Sequence, residues 1–83
     1  MKVNVRYFAS IRERIGMGSE ALDTTSADCG ALRDELVARG GAHAEALARG
    51  RAVRMALDQE IAGDEAPLTP GCEVAFFPPV TGG

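Results

Sequence analysis

A chain of 83 residues can close one hydrophobic core, and at this size it buries only roughly 60–65% of its unfolded surface, which disfavours a self-contained enzyme with a deep catalytic cleft. Hydrophobic residues at 46% and charged residues at 25% are ordinary for a globular protein and exclude wholesale disorder. Nine basic against twelve acidic side chains, a formal charge of −3, lack the basic footprint of a nucleic-acid binder.

Residues 2–9, KVNVRYFA, alternate, with Val3, Val5 and Tyr7 on one face and Lys2, Asn4, Arg6 and Phe8 on the other, which predicts a first strand. That alternation is not the apolar run of a signal peptide, and no stretch approaches the ~20 residues of a membrane span. Two cysteines, Cys29 and Cys72, do not make a disulfide framework, so a cytoplasmic protein without a membrane anchor is expected. SIRERIG then offers Ser10 as an N-cap with Glu13 three residues on, a capping box, and Gly16 as a stop, which predicts a short helical turn. SEALDTT, residues 19–25, is a second strand that pairs with the first as a hairpin with an elaborated connection.

From Ser26, SADCGALRDELVARGG sets Cys29, Leu32 and Leu36 on one stripe, with Asp28 in the first turn and Arg39 in the last, before Gly40 and Gly41. This is the main helix, although Gly30 inside it costs about 1 kcal/mol relative to alanine. Residues 42–50, AHAEALARG, predict a second short helix ending at Gly50. AVRMALDQEIA returns to alternation at Val53, Met55 and Leu57, and Asp58 and Gln59 turn the chain into a short strand carrying Ile61. GDEAPLTPG is loop, because Pro67, Pro70 and two glycines forbid regular structure. CEVAFFP closes with Val74 and Phe76 on one face and Ala75 and Phe77 on the other.

One substantial helix must therefore cover a mixed sheet of four or five strands, which excludes a repeating β-α-β wind. The economical solution is an α+β, ubiquitin-like β-grasp, in which the N-terminal hairpin and the last strand meet in the sheet. A ferredoxin-like fold is the alternative and needs a second long helix. The expected organisation is a domain over residues 1–77 and an extended tail over residues 78–83.

Pro78 and Pro79 supply no N–H and hold the exit extended, so the tail leaves the sheet as a probe that spans roughly 20 Å. Gly82 and Gly83 lack a Cβ, which lets a narrow channel close around the backbone and lets reagents reach the last carbonyl. A terminal carboxylate, with an ordinary pKa of ~3.3–3.7, is ionised at neutral pH and a poor electrophile. It needs activation as an acyl adenylate, after which a sulfur nucleophile can displace AMP and leave a thiocarboxylate. The chain has no phosphate-binding Gly-rich loop and no acid cluster for magnesium, so ATP is used by another protein and no cofactor is expected on the isolated chain.

The string EVAFFPPVTGG resembles the C-terminus of the small subunit of molybdopterin synthase, the MoaD branch of the sulfur-carrier proteins related to ThiS. VRYFASIRERIG resembles the first strand and turn of that family. The resemblance implies a sulfur-donor subunit whose partners hold the catalytic sites. Gly83 would be adenylated by an E1-like enzyme of the MoeB type and receive sulfur through a sulfurtransferase. Pro79, Val80, Thr81, Gly82 and Gly83 would then enter a MoaE-like large subunit, in a heterotetramer of two small and two large chains. There the thiocarboxylate would donate sulfur to cyclic pyranopterin monophosphate to build the molybdopterin dithiolene. By position, Phe8, Arg12, Ile61 and Phe77 fall where the family makes partner contacts, an apolar patch with Arg12 at its rim; the competing reading places both phenylalanines in the core.

Other residues carry weaker signals. Cys29 near a helix start is either a reactive thiol or a small core residue, Cys72 after Pro70 and Gly71 is expected to be partly exposed, and neither is spaced for zinc. His43 is expected to be a solvated helix residue. Arg49, Arg51 and Arg54 form a local basic cluster, either a solvated face or an electrostatic contact with a partner. Sulfur carriage for thiamine or cysteine synthesis, ubiquitin-like conjugation and an inert interaction module are the competing functions. Conjugation would show as lysine-linked adducts, and an inert module would be indifferent to loss of Gly83.

Overall fold

The structure, a computed structural model, describes residues 1–79. Along the chain run β1 (Lys2–Tyr7), α1 (Ala9–Ile15), β2 (Ser19–Asp23), α2 (Cys29–Ala38), α3 (Gly41–Leu47), β3 (Arg54–Leu57), β4 (Glu60–Ala62) and β5 (Glu73–Phe77). The strands form one sheet in the order β2-β1-β5-β3-β4. β1 and β5 pair in parallel and the other three pairings are antiparallel, so the first and last strands lie side by side at the centre. This is the expected β-grasp.

The period of two decides which face meets the helices. Val3, Val5 and Tyr7 of β1, Val74 and Phe76 of β5, Met55 of β3 and Leu22 of β2 pack with Ile11, Cys29, Leu32, Leu36 and Leu47 in one buried cluster. Complete burial of a residue such as Leu32 or Phe76 stabilises the fold by about 1.5–3 kcal/mol. Tyr7 and Phe76 face each other across the parallel pair with ring centroids 6.1 Å apart.

The first helix does not begin as the sequence suggests. Its N-cap is Phe8, with extended backbone and no side-chain capping bond, and Ser10 lies inside the first turn, so the capping box does not form. The cause is tertiary: the Phe8 N–H bonds to the Phe76 carbonyl at 3.1 Å, continuing the β1–β5 ladder and forcing the helix to start at Ala9, which takes a φ of 51°. Gly16 ends α1 in the left-handed region at φ 88°, donating to the Arg12 carbonyl, as expected.

The main helix also starts later than Ser26. Asp28 is its cap, accepting from the Ala31 N–H at 2.8 Å, while the Ser26 and Thr24 hydroxyls both bond Glu35. Thr24 Oγ1 also accepts from the Ser26 N–H, a local turn that ends β2 at Asp23 rather than Thr25. Gly30 has a steric reason to be glycine: a Cβ there would lie 2.7 Å from the Asp64 Cβ, because the loop before β5 is laid over the start of α2. The Cys29 and Gly30 N–H groups donate to the carbonyls of Ala66 and Asp64 in that loop.

α3 is fixed through Arg33, a buried side chain of α2. Its guanidinium donates to the Leu47 and Ala48 carbonyls at 2.7 Å each, and to the Arg51 carbonyl at 3.3 Å. A cation therefore satisfies carbonyls at a helix C-terminus, where the backbone dipole favours positive charge. Asp58 and Gln59 form the expected two-residue turn between β3 and β4, both with positive φ, and Asp58 also accepts from the Glu73 N–H at 3.0 Å.

Candidate functional site

With helices on one face, the other face of the sheet is left uncovered by any described element, and register decides what it displays. Arg6 stands beside Ala75, Ala75 beside Ala56, and Ala56 beside Ile61. Two residues further toward the end of β5, Phe77 stands opposite Arg54, and Phe8 follows β1 on the same side. Ile61 is 65% exposed and Phe8 39%, whereas Phe76 is wholly buried and Phe77 half-buried. Phe8, Phe77 and Ile61 thus share the outer face, above Ala56 and Ala75, which are small and buried beneath their neighbours; the exposed apolar side chains there are of the kind that mediates association.

Arg6 lies on this face between Phe8 and Glu73. Its guanidinium lies 5.3 Å from the centre of the Phe8 ring and 3.9 Å from the Glu73 carboxylate. Arg12 sits on α1, where its side chain covers Gly18, and its N–H donates to the Phe8 carbonyl. It therefore occupies the same end of the molecule as Phe8. Alternation puts Arg6 on the face of Phe8, and the sequence groups Arg54 with Arg49 and Arg51; that Arg54 stands opposite Phe77 needs the cross-strand register.

At that end β5 finishes and Pro78 and Pro79 follow, both half-buried. Pro78 borders a shallow cleft with Ile11 and Arg14 of α1 and Arg51 of the α3–β3 connection. Val80, Thr81, Gly82 and Gly83, the rest of the expected tail, lie outside the described residues.

The remaining reactive side chains are occupied. Cys29 is buried in the core, and burial, reinforced by nearby negative groups, pushes its thiol up to about 11. Cys72 is also buried rather than partly exposed, because its carbonyl accepts from the Asn4 N–H and ties the segment to β1. His43 is not a solvated residue: its Nε2 lies 2.9 Å from Glu20 and its ring meets Tyr7 edge-on at 5.9 Å. Glu20 occupies an inward-facing position of β2 opposite Val5. Burial alone would raise its carboxyl, but hydrogen bonds from Arg39, His43 and Tyr7 outweigh that and hold it at about 2. Burial and the Glu20 carboxylate in turn push the Tyr7 hydroxyl above its ordinary value.

The basic cluster expected at Arg49, Arg51 and Arg54 is divided among three tasks. Arg49 bonds Asp34, Asp64 and the Gly30 carbonyl, clamping the loop onto α2, Arg51 borders the cleft beside Pro78, and Arg54 faces Phe77. Among the described residues no group of three or more His, Cys, Asp or Glu side chains is placed to hold a metal. No helix among them is long and apolar enough to cross a membrane.

The exposed apolar positions of the sheet's outer face thus lie beside the exit of the Pro78–Pro79 segment. Residues 5–83 match the ThiS family. The chain belongs to that family. The match to the ThiS family extends through the last residue of the tail. The molybdopterin synthase sulfur carrier subunits of Haemophilus influenzae and Escherichia coli are 40% and 38% identical to the chain over 81 residues, covering 98% of it and 99% of each relative. Among solved structures, SAMP1 of Haloferax volcanii superposes with a TM-score of 0.80 at 26% identity, covering all of both chains. A chain in the complex of subunits 1 and 2 of the molybdopterin-converting factor of Helicobacter pylori superposes with a TM-score of 0.69, also at 26% identity and full coverage of both. These relatives share the fold of this ThiS-family chain.

Proposed function

We propose that this chain is the sulfur-carrier subunit of a molybdopterin synthase and works in the cytoplasm. The observation that carries the reading is the juxtaposition of the uncovered face bearing Phe8, Phe77 and Ile61 with the Pro78–Pro79 exit, in a chain similar over its whole length to sulfur carrier subunits. The domain of residues 1–77 docks, and residues 78–83 present the reacting group.

The Gly83 carboxylate attacks the α-phosphate of ATP on an adenylating enzyme, releasing pyrophosphate and forming the acyl adenylate. Hydrosulfide-level sulfur, released from a sulfurtransferase by a thiol reductant, forms the C–S bond as the C–O bond to AMP breaks. The resulting thiocarboxylate is carried on Pro79, Val80, Thr81, Gly82 and Gly83 into the large subunit. There its sulfur bonds to a side-chain carbon of the pterin precursor, cyclic pyranopterin monophosphate, as the bond from that carbon to its oxygen substituent breaks and the oxygen group leaves, and water cleaves the acyl–sulfur bond to return the carboxylate. A dithiolene takes two sulfurs, so the carrier is used twice per product, in a heterotetramer of two small and two large subunits. Phe8, Phe77 and Ile61 supply the apolar contact and Arg12 its polar edge.

Reconstitution with the large subunit and the pterin precursor tests the reading. Thiocarboxylated chain should yield dithiolene in proportion to the sulfur supplied, and a chain lacking Gly83 should yield none while folding normally. Product from the chain lacking Gly83 would overturn it.

A further inference from the structure

The cleft beside the tail exit has a chemistry of its own. Its lining is apolar at Ile11, Ala46, Ala52 and Pro78 and basic at Arg14 and Arg51, which approach it from α1 and from the α3–β3 connection. Both arginines are exposed, and among the described residues neither has an ion-pair partner. Arg6, Arg39 and Arg49, by contrast, are each paired with a carboxylate. A chain with a net charge of −3 thus keeps two uncompensated guanidinium groups at the base of the tail.

We infer that this cleft docks an acidic segment at the mouth of the protein channel that receives the tail. Residues 80–83 extend roughly 13 Å beyond Pro79 when fully stretched, so a channel that closes around them must bring its mouth against Pro78 and Pro79. The surface at that mouth therefore faces Arg14 and Arg51. Guanidinium forks on an apolar floor match side-chain carboxylates, which they bind through paired N–H donors. The phosphate of a nucleotide reacting at Gly83 lies at the far end of the tail, so fixed carboxylates of the receiving protein are the ligand here. Charges at the edge of an interface act mainly on encounter, so the pair orients the carrier as it approaches, tail first.

The identity of the receiving protein rests on the sulfur-carrier reading; the cleft itself does not. The test compares wild type, the double variant Arg14→Glu/Arg51→Glu, and Lys2→Glu, whose altered charge lies at the start of β1, away from the exit. Association with the purified activating enzyme and with the purified large subunit is followed by stopped flow across a salt series. For at least one of these proteins the double variant should associate about tenfold more slowly at low salt, with a flatter salt dependence, and should dissociate faster than wild type. Lys2→Glu should stay near wild type, and thiocarboxylate yield at saturating enzyme should be unchanged in all three. Wild-type protein that accepts sulfur, with a double variant matching it in rate and salt dependence toward both proteins, overturns this inference alone. Wild-type protein that neither binds nor accepts sulfur overturns both readings.

Discussion

The Phe8 N–H donates to the Phe76 carbonyl at 3.1 Å, joining the end of the first strand to the last strand at the point where the chain leaves the sheet. This bond sorts four aromatic residues. Tyr7 and Phe76 turn inward and pack against each other, while Phe8 and Phe77 fall on the outer face. The core pairing and the outer aromatic positions are therefore set by the same pair of strands.

Phe77→Ala and Phe8→Ala should each weaken the complex with the large subunit about tenfold or more while leaving the melting temperature within a few degrees of wild type, as for an anchor at an interface. Phe76→Ala should cost about 3–5 kcal/mol of stability, because it empties the core. Titration calorimetry and thermal melts separate the two outcomes. A Phe77→Ala variant that binds normally but melts like Phe76→Ala would return that ring to the core.

Glu20 makes stability depend on acid. Its carboxyl sits at about 2 in the fold against an ordinary 4.5, so its contribution is fully present above about 4.5 and disappears as the pH falls through 2. The size is on the order of 2–3 kcal/mol at neutral pH. Denaturant titrations should show Glu20→Gln less stable than wild type at pH 7, with the gap closing toward pH 2. Parallel curves across that window would mean that Tyr7, Arg39 and His43 do not hold the carboxylate as the geometry shows.

Two glycines make opposite demands on an added methyl group. At Gly16 there is open space but φ is 88°, so Gly16→Ala should cost about 1–2 kcal/mol from backbone strain alone. At Gly30 alanine suits the helix, yet its Cβ would meet Asp64 at 2.7 Å, and Gly30→Ala should cost about 1–3 kcal/mol through displacement of the loop. Chemical denaturation measures both. A stabilised Gly30→Ala would show that the loop yields freely.

The alternation of β1 was legible in the sequence because a half-buried strand must alternate, and the side of Phe77 followed from that of Phe76; the burial of Ala56 and Ala75 on the outer face breaks that alternation in β3 and β5. The capping box at Ser10 misled because a ladder bond to Phe76, distant in sequence, fixes where α1 begins. The same limit hid the Glu20 network and the burial of Cys72, which depend on partners from other elements. Arg14 and Arg51 are 37 positions apart and meet only at the cleft beside Pro78. Local pattern determines which face a residue takes; tertiary register determines what it meets there.

The most direct measurement is intact-mass analysis of the protein after incubation with an adenylating enzyme, ATP and a sulfur source. A gain equal to replacement of one oxygen by sulfur, located by fragmentation at Gly83, is the expected result. An unchanged mass with an enzyme that thiocarboxylates a related carrier in parallel would contradict the sulfur-carrier function.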